Sequence, residues 1–280
     1  MDQEVHEQLL ALKLPHVSLM RLADFESDAL LAVKPGRSKG EYCWTITPFT
    51  ADWVFSLDDQ VKRVTYLDAD LLFFNDPAVL FQEFEESGKH VMITEHAYAP
   101  DYIHYLETSG RFCVQFMVFD RSPEARRIMQ WWQERCLEWC YARMEDGRFG
   151  DQKYLDVWPQ LFTHDVHILQ CVEQTLAPWN VDYQLQQQPR KFKPVFYHFH
   201  AFRIIGLGSV RLYEGYRIAS SSRYLYDEYL ATLNRQIAVL HRHAIPVALL
   251  PERRGIRPYL ASCYTWLKGL TAKARIDTYA

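Results

Sequence analysis

Residues 64–77 read VTYLDADLLFFNDP. An apolar β-run, Val64 to Leu67, ends on two aspartates, Asp68 and Asp70, one residue apart. In an extended strand, positions i and i+2 point the same way, so both carboxylates can face one ligand. A turn at Ala69 would aim them equally well. The apolar lead-in reads as a buried strand of a parallel sheet. Open α/β sheets bind ligands beyond the carboxyl ends of their strands, which is where this pair sits. A D-x-D can also be a solvated turn. The buried lead-in favours a divalent cation, since hard cations take oxygen ligands and Mg²⁺ is often held by one or two carboxylates plus phosphates. An added imidazole tilts the preference toward Mn²⁺. Tyr197-His198-Phe199-His200, at the end of another expected strand, supplies one. Either histidine alone would read as an ordinary core or surface residue.

Working outward, strands and helices alternate. Residues 2–14 read as a helix with Val5, Leu9, Leu12 and Leu10 on its apolar side, and residues 16–22 as a short strand. Residues 41–55 form a helical segment bent at Pro48. Strands follow at 63–68 and 71–74, then a helix entered through Asn75-Asp76-Pro77. Residues 90–94 are a strand. Residues 111–120 alternate, with Phe112, Val114, Phe116 and Val118 on one face and Cys113, Gln115 and Met117 on the other. Ser122-Pro123 opens a long helix to about Met144, with Ile128, Trp132, Cys136 and Cys140 as its inward stripe. A glycine-containing loop leads to a short helix capped by Asp151 and stopped at Pro159. Strands are expected at 166–170 and 194–200, and amphipathic helices at about 222–243 and 257–275. No internal repeat is visible. This is an α/β body with a mixed, mostly parallel sheet flanked by helices, over residues 1–205, and a helical C-terminal extension over 206–280.

Composition agrees. The chain has 280 residues, 49% apolar and 24% charged, the balance of a globular protein. Its net charge of −4 argues against a nucleic-acid-binding body. Aromatic residues reach 15%, enough for a ring-lined core or for stacking on planar or sugar-like ligands. No apolar run is long enough to span a bilayer, and the acidic opening MDQEVHEQLL is no secretory signal. The six cysteines lack CxxC spacing and read as reduced thiols in a cytoplasmic protein. Cys136 and Cys140 read as small core residues rather than a metal pair. The late basic segment carries Arg253, Arg254, Arg257, Lys268, Lys273 and Arg275 among Tyr259, Leu260, Trp266 and Leu267. It is either a surface for anionic lipid at the inner face of the membrane or a packing helix with a solvated cationic face.

Four segments, VTYLDADLLFFNDP, FGDQKYLDVWPQLF, LAPWN and FYHFHAFR, occur in the order seen in GT-A-fold glycosyltransferases. The chain to about residue 205 resembles bacterial nucleotide-diphospho-sugar transferases of the glycogenin and lipopolysaccharide galactosyltransferase group. The resemblance implies a UDP-sugar donor, a glycan or lipid-linked acceptor, and a Mn²⁺ or Mg²⁺ ion. It assigns Asp70 and His198 to the metal, and Asp68 to the ribose or the metal. It places Asp151 and Gln152 under the donor sugar as the catalytic pair, and Asn180 in a loop facing the acceptor. Arg37 and Lys39 fall where relatives hold the diphosphate, although Arg37 reads equally as a solvated loop cation. Where relatives continue the late His motif to a small residue and Lys, Ala201-Phe202-Arg203 stand here, so Arg203 takes the phosphate role. Relatives also open with a strand-helix unit that holds the base. This chain starts on what corresponds to the helix after it, and weak, poorly base-selective nucleotide binding is the expectation. Retention of configuration is what the resemblance implies. The alternatives are a catalytically impaired nucleotide-sugar-binding or scaffold protein, and a haloacid-dehalogenase-type phosphatase.

Overall fold

The computed structural model describes residues 1–189, 192–206, 208–247, 249–250 and 256–276. Its strands, in chain order, are β1 (Arg63–Leu67), β2 (Leu71–Phe73), β3 (Val91–Glu95), β4 (Phe112–Asp120), β5 (Val166–Ile168), β6 (Thr175–Leu176), β7 (Phe196–His198), β8 (Arg203–Gly206), β9 (Ser209–Glu214) and β10 (Thr271–Arg275). They form three sheets, ordered β1-β4-β3-β5, β2-β7-β6 and β10-β9-β8.

The mixed α/β class is the one expected, with the orientation balance shifted. β4 runs antiparallel to both β1 and β3, and β3–β5 is the parallel pair of that sheet. The reason lies in one connection. Glu95 pairs with Phe112, so residues 96–111 reverse the chain at one end of the sheet instead of crossing over it. β1 is correspondingly a half-buried edge strand rather than the buried parallel strand expected from VTYL.

β4 is the centre of the core. Phe112 through Phe119 are all buried, because helices cover both sides, and the single face expected for Phe112, Val114, Phe116 and Val118 is split where the β3–β4 register shifts. On one face Val114, Met117 and Phe119 join Val91, Ile93 and the inward stripe Ile128, Met129, Trp132 and Cys136 of the helix Pro123–Glu138. On the other, Phe116 and Val118 meet Met92 and the Leu80 and Phe84 side chains of the helix Ala78–Ser87. Burial of side chains this large is the main stabilising term, about 1.5–3 kcal/mol each. The bend at Pro48 is as expected: helix Lys39–Ile46, a 3₁₀ turn Thr47–Phe49, then helix Thr50–Leu57.

Other local expectations change. The helix Gln3–Ala11 buries none of its residues. Residues 16–21 form no strand; His16 takes a left-handed φ of 60°, and among the described residues no strand pairs with the segment. The long helix stops at Glu138, so Cys140 is buried beyond it instead of on its stripe. Asp151 begins a 3₁₀ segment (Gln152–Val157) without capping it through its side chain, and Pro159 lies in the first turn of the next helix, Trp158–Leu161, where its missing N–H costs nothing.

Residues past 203 are not purely helical. β8 and β9 make a hairpin, and β10 pairs antiparallel with β9 where the sequence predicts a continuing helix. The helices there are Arg223–Arg242 and Ile256–Leu267. This segment shares a core with the body: Phe199 stacks on Tyr229 at 3.8 Å, and Tyr197 meets Tyr226 edge-on. Arg253 and Arg254 lie outside the described residues, as do the side chains of Arg257, Tyr259 and Leu260. Among the described residues no helix is long and apolar enough to cross a membrane, and no disulfide joins the six cysteines.

Candidate metal centre

Two strand ladders bring the aspartate pair and the late histidine together. Asp68 directly follows β1, and its N–H donates to the carbonyl of Gln115 at 3.0 Å, which extends the β1–β4 ladder by one rung. The chain then turns at Ala69. Leu71 pairs with His198 across β2 and β7, and the Phe199 N–H donates to the carbonyl of Asp70 at 2.8 Å. The turn, rather than a straight strand, is what aims the two carboxylates. One ligand atom from each of Asp68, Asp70 and His198 lies within 4.8 Å of the other two. His198 Nε2 is 3.0 Å from Asp70 Oδ1 and 3.8 Å from Asp68 Oδ2.

The neighbours of these groups orient them. The Tyr66 hydroxyl donates to Asp68 Oδ1 at 3.0 Å. His198 Nδ1 lies 2.7 Å from Gln115 Oε1, so Nε2 faces the carboxylates. Burial raises the pKa of Asp68, helped by the charge of Asp70 and opposed by His198. Burial pushes Asp70 upward too, but the hydrogen bond and charge of His198 bring it to a net lowering. A third acid, Asp151, is buried and pushed up to about 8 by desolvation and by the charge of Asp68. Three acids thus compete over one small polar region, and they disfavour one another's ionised forms. Two carboxylates and an imidazole with its Nδ1 partnered form a donor set that fits Mn²⁺ or Mg²⁺, and a dication would offset the crowded negative charge.

The other expected site residues are placed as follows. Asp151 follows Gly150, which requires glycine: its φ is 55°, and a Cβ there would come within 3.3 Å of the Trp44 ring. The Asp151 carbonyl accepts from Trp132 Nε1 at 2.9 Å. Gln152 Nε2 donates to the Ser109 carbonyl at 2.7 Å, tying the segment to the loop before β4. Asn180 is buried: its Oδ1 accepts from the Ala177 N–H and its Nδ2 donates to the His96 carbonyl, both at 2.9 Å. Arg37 stacks over Tyr141 at 3.8 Å and donates to the Leu137 carbonyl, so its contacts hold a loop and none is with the three ligands. Lys39 begins the helix Lys39–Ile46 and is exposed. Arg203 is exposed at the start of β8 and donates to the Phe202 carbonyl at 2.6 Å. His200 is exposed and lies 5.7 Å from His198, ring to ring, outside the three-residue cluster.

Sequence reasoning passed over Gln115, Tyr66 and Trp179. Trp179 meets His198 edge-on at 5.5 Å and donates from Nε1 to the His96 carbonyl. Trp179 also lines a cleft of about 260 Å³, together with Tyr102, Asn180, Asp182, Tyr183 and Arg217. A signal for Gln115 was present, since it is an amide inside the apolar run from Phe112 to Phe119.

No protein-family model matches the sequence. Among solved structures, mouse xyloside xylosyltransferase 1 in its apo form overlaps with 71% of this chain and 81% of its own, at 16% identity and a TM-score of 0.43, too low to equate the two folds. The uncharacterized protein YfnF of Bacillus subtilis (strain 168) is 30% identical over 226 residues, 75% of this chain and 73% of its own length. The uncharacterized protein YfnD of the same organism is 30% identical over 246 residues, 84% of this chain. With 78% of YfnD matched at that identity, the chain belongs to the YfnD family.

Proposed function

We propose that the protein is a metal-dependent glycosyltransferase that moves a sugar from a nucleotide-diphospho-sugar, such as a UDP-sugar, to a glycan or lipid-linked acceptor. One observation carries the reading: three ligand atoms from separate strand ends converge within 4.8 Å, at the carboxyl end of an α/β core. The four-segment resemblance to GT-A transferases adds to it.

In this reading Asp68, Asp70 and His198 Nε2 hold a divalent cation. When bound, it neutralises the charge that develops on the nucleoside diphosphate leaving group. Asp70, the more acidic of the pair, provides the ionised carboxylate, and Tyr66 fixes the rotamer of Asp68. Desolvation and the charge of Asp68 push the pKa of Asp151 up to about 8 in the metal-free protein, and in this reading its carboxyl hydrogen-bonds a sugar hydroxyl. Gln152 is anchored to Ser109 and holds Asp151 in place. The acceptor occupies the cleft beside Trp179, where Tyr102 and Tyr183 offer ring faces and Asp182 and Arg217 polar edges, a lining suited to a sugar ring. Trp179 is shared by cleft and cluster, which keeps acceptor and donor adjacent.

The test incubates the protein with Mn²⁺ and a panel of UDP-sugars and measures UDP release, with Asp70→Asn as the comparison. Release that depends on Mn²⁺ and is lost in the variant supports the reading. Absence of both turnover and Mn²⁺-dependent UDP binding by calorimetry refutes it.

A further inference from the structure

Gln115 is the buried polar residue of β4. Phe112, Cys113, Val114, Phe116, Met117, Val118 and Phe119 are buried apolar neighbours, and Gln115 itself is 0% exposed. Its Nε2 has no partner among the described residues. A half-satisfied buried amide carries a desolvation cost that a leucine at this position would avoid. Its hydrogen-bonded end faces one group, His198 Nδ1, at 2.7 Å. Its backbone carbonyl accepts from the Asp68 N–H. The same residue therefore touches both arms of the cluster, the β1 end through its main chain and the β7 end through its side chain.

The geometry points to Gln115 as a positioning residue of the metal centre: its Oε1 accepts the Nδ1 proton of His198 and so presents the Nε2 lone pair to a divalent cation. The chemistry follows from the imidazole. A neutral ring carries one proton, and a proton held on Nδ1 leaves Nε2 able to ligate. The acceptor at Nδ1 also fixes the ring plane and raises the basicity of the ligating nitrogen, the role that carboxylates and carbonyls play behind metal-bound histidines. An amide does this without adding a further negative charge beside Asp68 and Asp70. Without that acceptor, neither tautomer nor ring angle is held, and Asp70 competes for a proton on Nε2.

The inference rests on the metal reading above but not on sugar transfer, and its test needs no turnover. Mn²⁺ affinity is measured by calorimetry for the parent, Gln115→Leu, Gln115→Met and Gln115→Glu. Long-range ¹H–¹⁵N spectra of the metal-free and Mg²⁺-loaded parent report the proton on His198. We expect Nδ1 protonated in both spectra, and a roughly 10–100-fold weaker Mn²⁺ affinity for the Leu and Met variants. Gln115→Glu keeps the acceptor and should bind within a few-fold of the parent, or tighter. An apolar variant that binds Mn²⁺ like the parent overturns the role of Gln115. So does a Glu variant as weak as the Leu variant, or a His198 that lacks a proton on Nδ1. A parent that binds no Mn²⁺ overturns the metal reading itself, and the two failures are thereby distinguishable.

Discussion

Asp70→Asn separates metal binding from folding. Without metal, the substitution removes one of two carboxylates whose oxygens lie within 4.8 Å. At an effective dielectric of about 20, two full like charges at that distance repel by about 3.5 kcal/mol. The 3.0 Å contact of Asp70 with His198 Nε2 offsets most of this, and the Asn carbonyl can still accept there. The metal-free variant should therefore lie within about 1 kcal/mol of the parent. With Mn²⁺ at about 100 times the parent's Kd, linkage gives about 2.7 kcal/mol of stabilisation. A chain of 280 residues has an unfolding entropy of about 0.6 kcal/mol/K, so the parent's Tm should rise by about 5 °C. Losing a charged ligand weakens the site by about 100-fold or more, which leaves about 0.4 kcal/mol, under about 1 °C, at the same Mn²⁺ concentration. The assay is thermal unfolding of both proteins across a Mn²⁺ titration. Equal shifts in parent and variant would refute the assignment of Asp70, and no shift in the parent would refute the site.

Other perturbations address other parts of the argument. Gln152→Ala removes the bond to Ser109 and should lower turnover about tenfold while Mn²⁺-dependent UDP binding stays within twofold; equal losses in both would assign Gln152 to the nucleotide. Glu41 is pulled down to about 2 by hydrogen bonds from the Ser38 side chain and from the Ala142 and Ser38 N–H groups. Its folded pKa lies below its unfolded value, so its stabilisation is complete above pH 4.5 and is lost as pH falls toward 2. Discounted for solvent screening, the loss is about 1 kcal/mol, and denaturant melts of Glu41→Gln should show that much less acid sensitivity between pH 5 and 2.5. Gly150→Ala strains a left-handed backbone and crowds Trp44, and should cost about 1–2 kcal/mol in urea unfolding. A chain cut after residue 205 loses Tyr226 and Tyr229 from the rings of Tyr197 and Phe199; it should lack a cooperative melt, and a sharp transition would show that residues 1–205 fold alone.

The strands at 63, 91, 112 and 196 were legible because local patterning and burial agree there. Strand orientation was not, since it depends on whether residues 96–111 reverse or cross, and nothing in their composition decides that. The expected strand at 16–22 has suitable residues but no strand pairing with it among the described residues, and a strand forms only with a partner to receive its hydrogen bonds. The β10 segment shows the opposite case. Its Ala and Lys residues favour helix, yet pairing with β9 overrides that preference. Asp68, Asp70 and His198 could be read because the first two are adjacent to an apolar run and the third ends another. Asn180 and Arg37 were read by position in a motif; Asn180 lines the cleft beside Trp179 while its amide bonds the His96 carbonyl, and Arg37 bonds the Leu137 carbonyl and stacks on Tyr141.

The supports of the cluster escaped the sequence for a physical reason. Tyr66 and Gln115 sit within strands whose patterning marks them as core. Their function comes from pairings across the sheet: Leu67 opposite Phe116, which brings the Gln115 carbonyl to the Asp68 N–H, and Leu71 opposite His198. A one-residue slip in either register would point these side chains to the other face. Asp151 would also stop feeling Asp68 if the loop after Gly150 moved. The site therefore depends on sheet register as much as on ligand identity. That is why a polar residue inside an apolar strand, with half of its amide unpartnered, is the place where fold and chemistry constrain each other most closely.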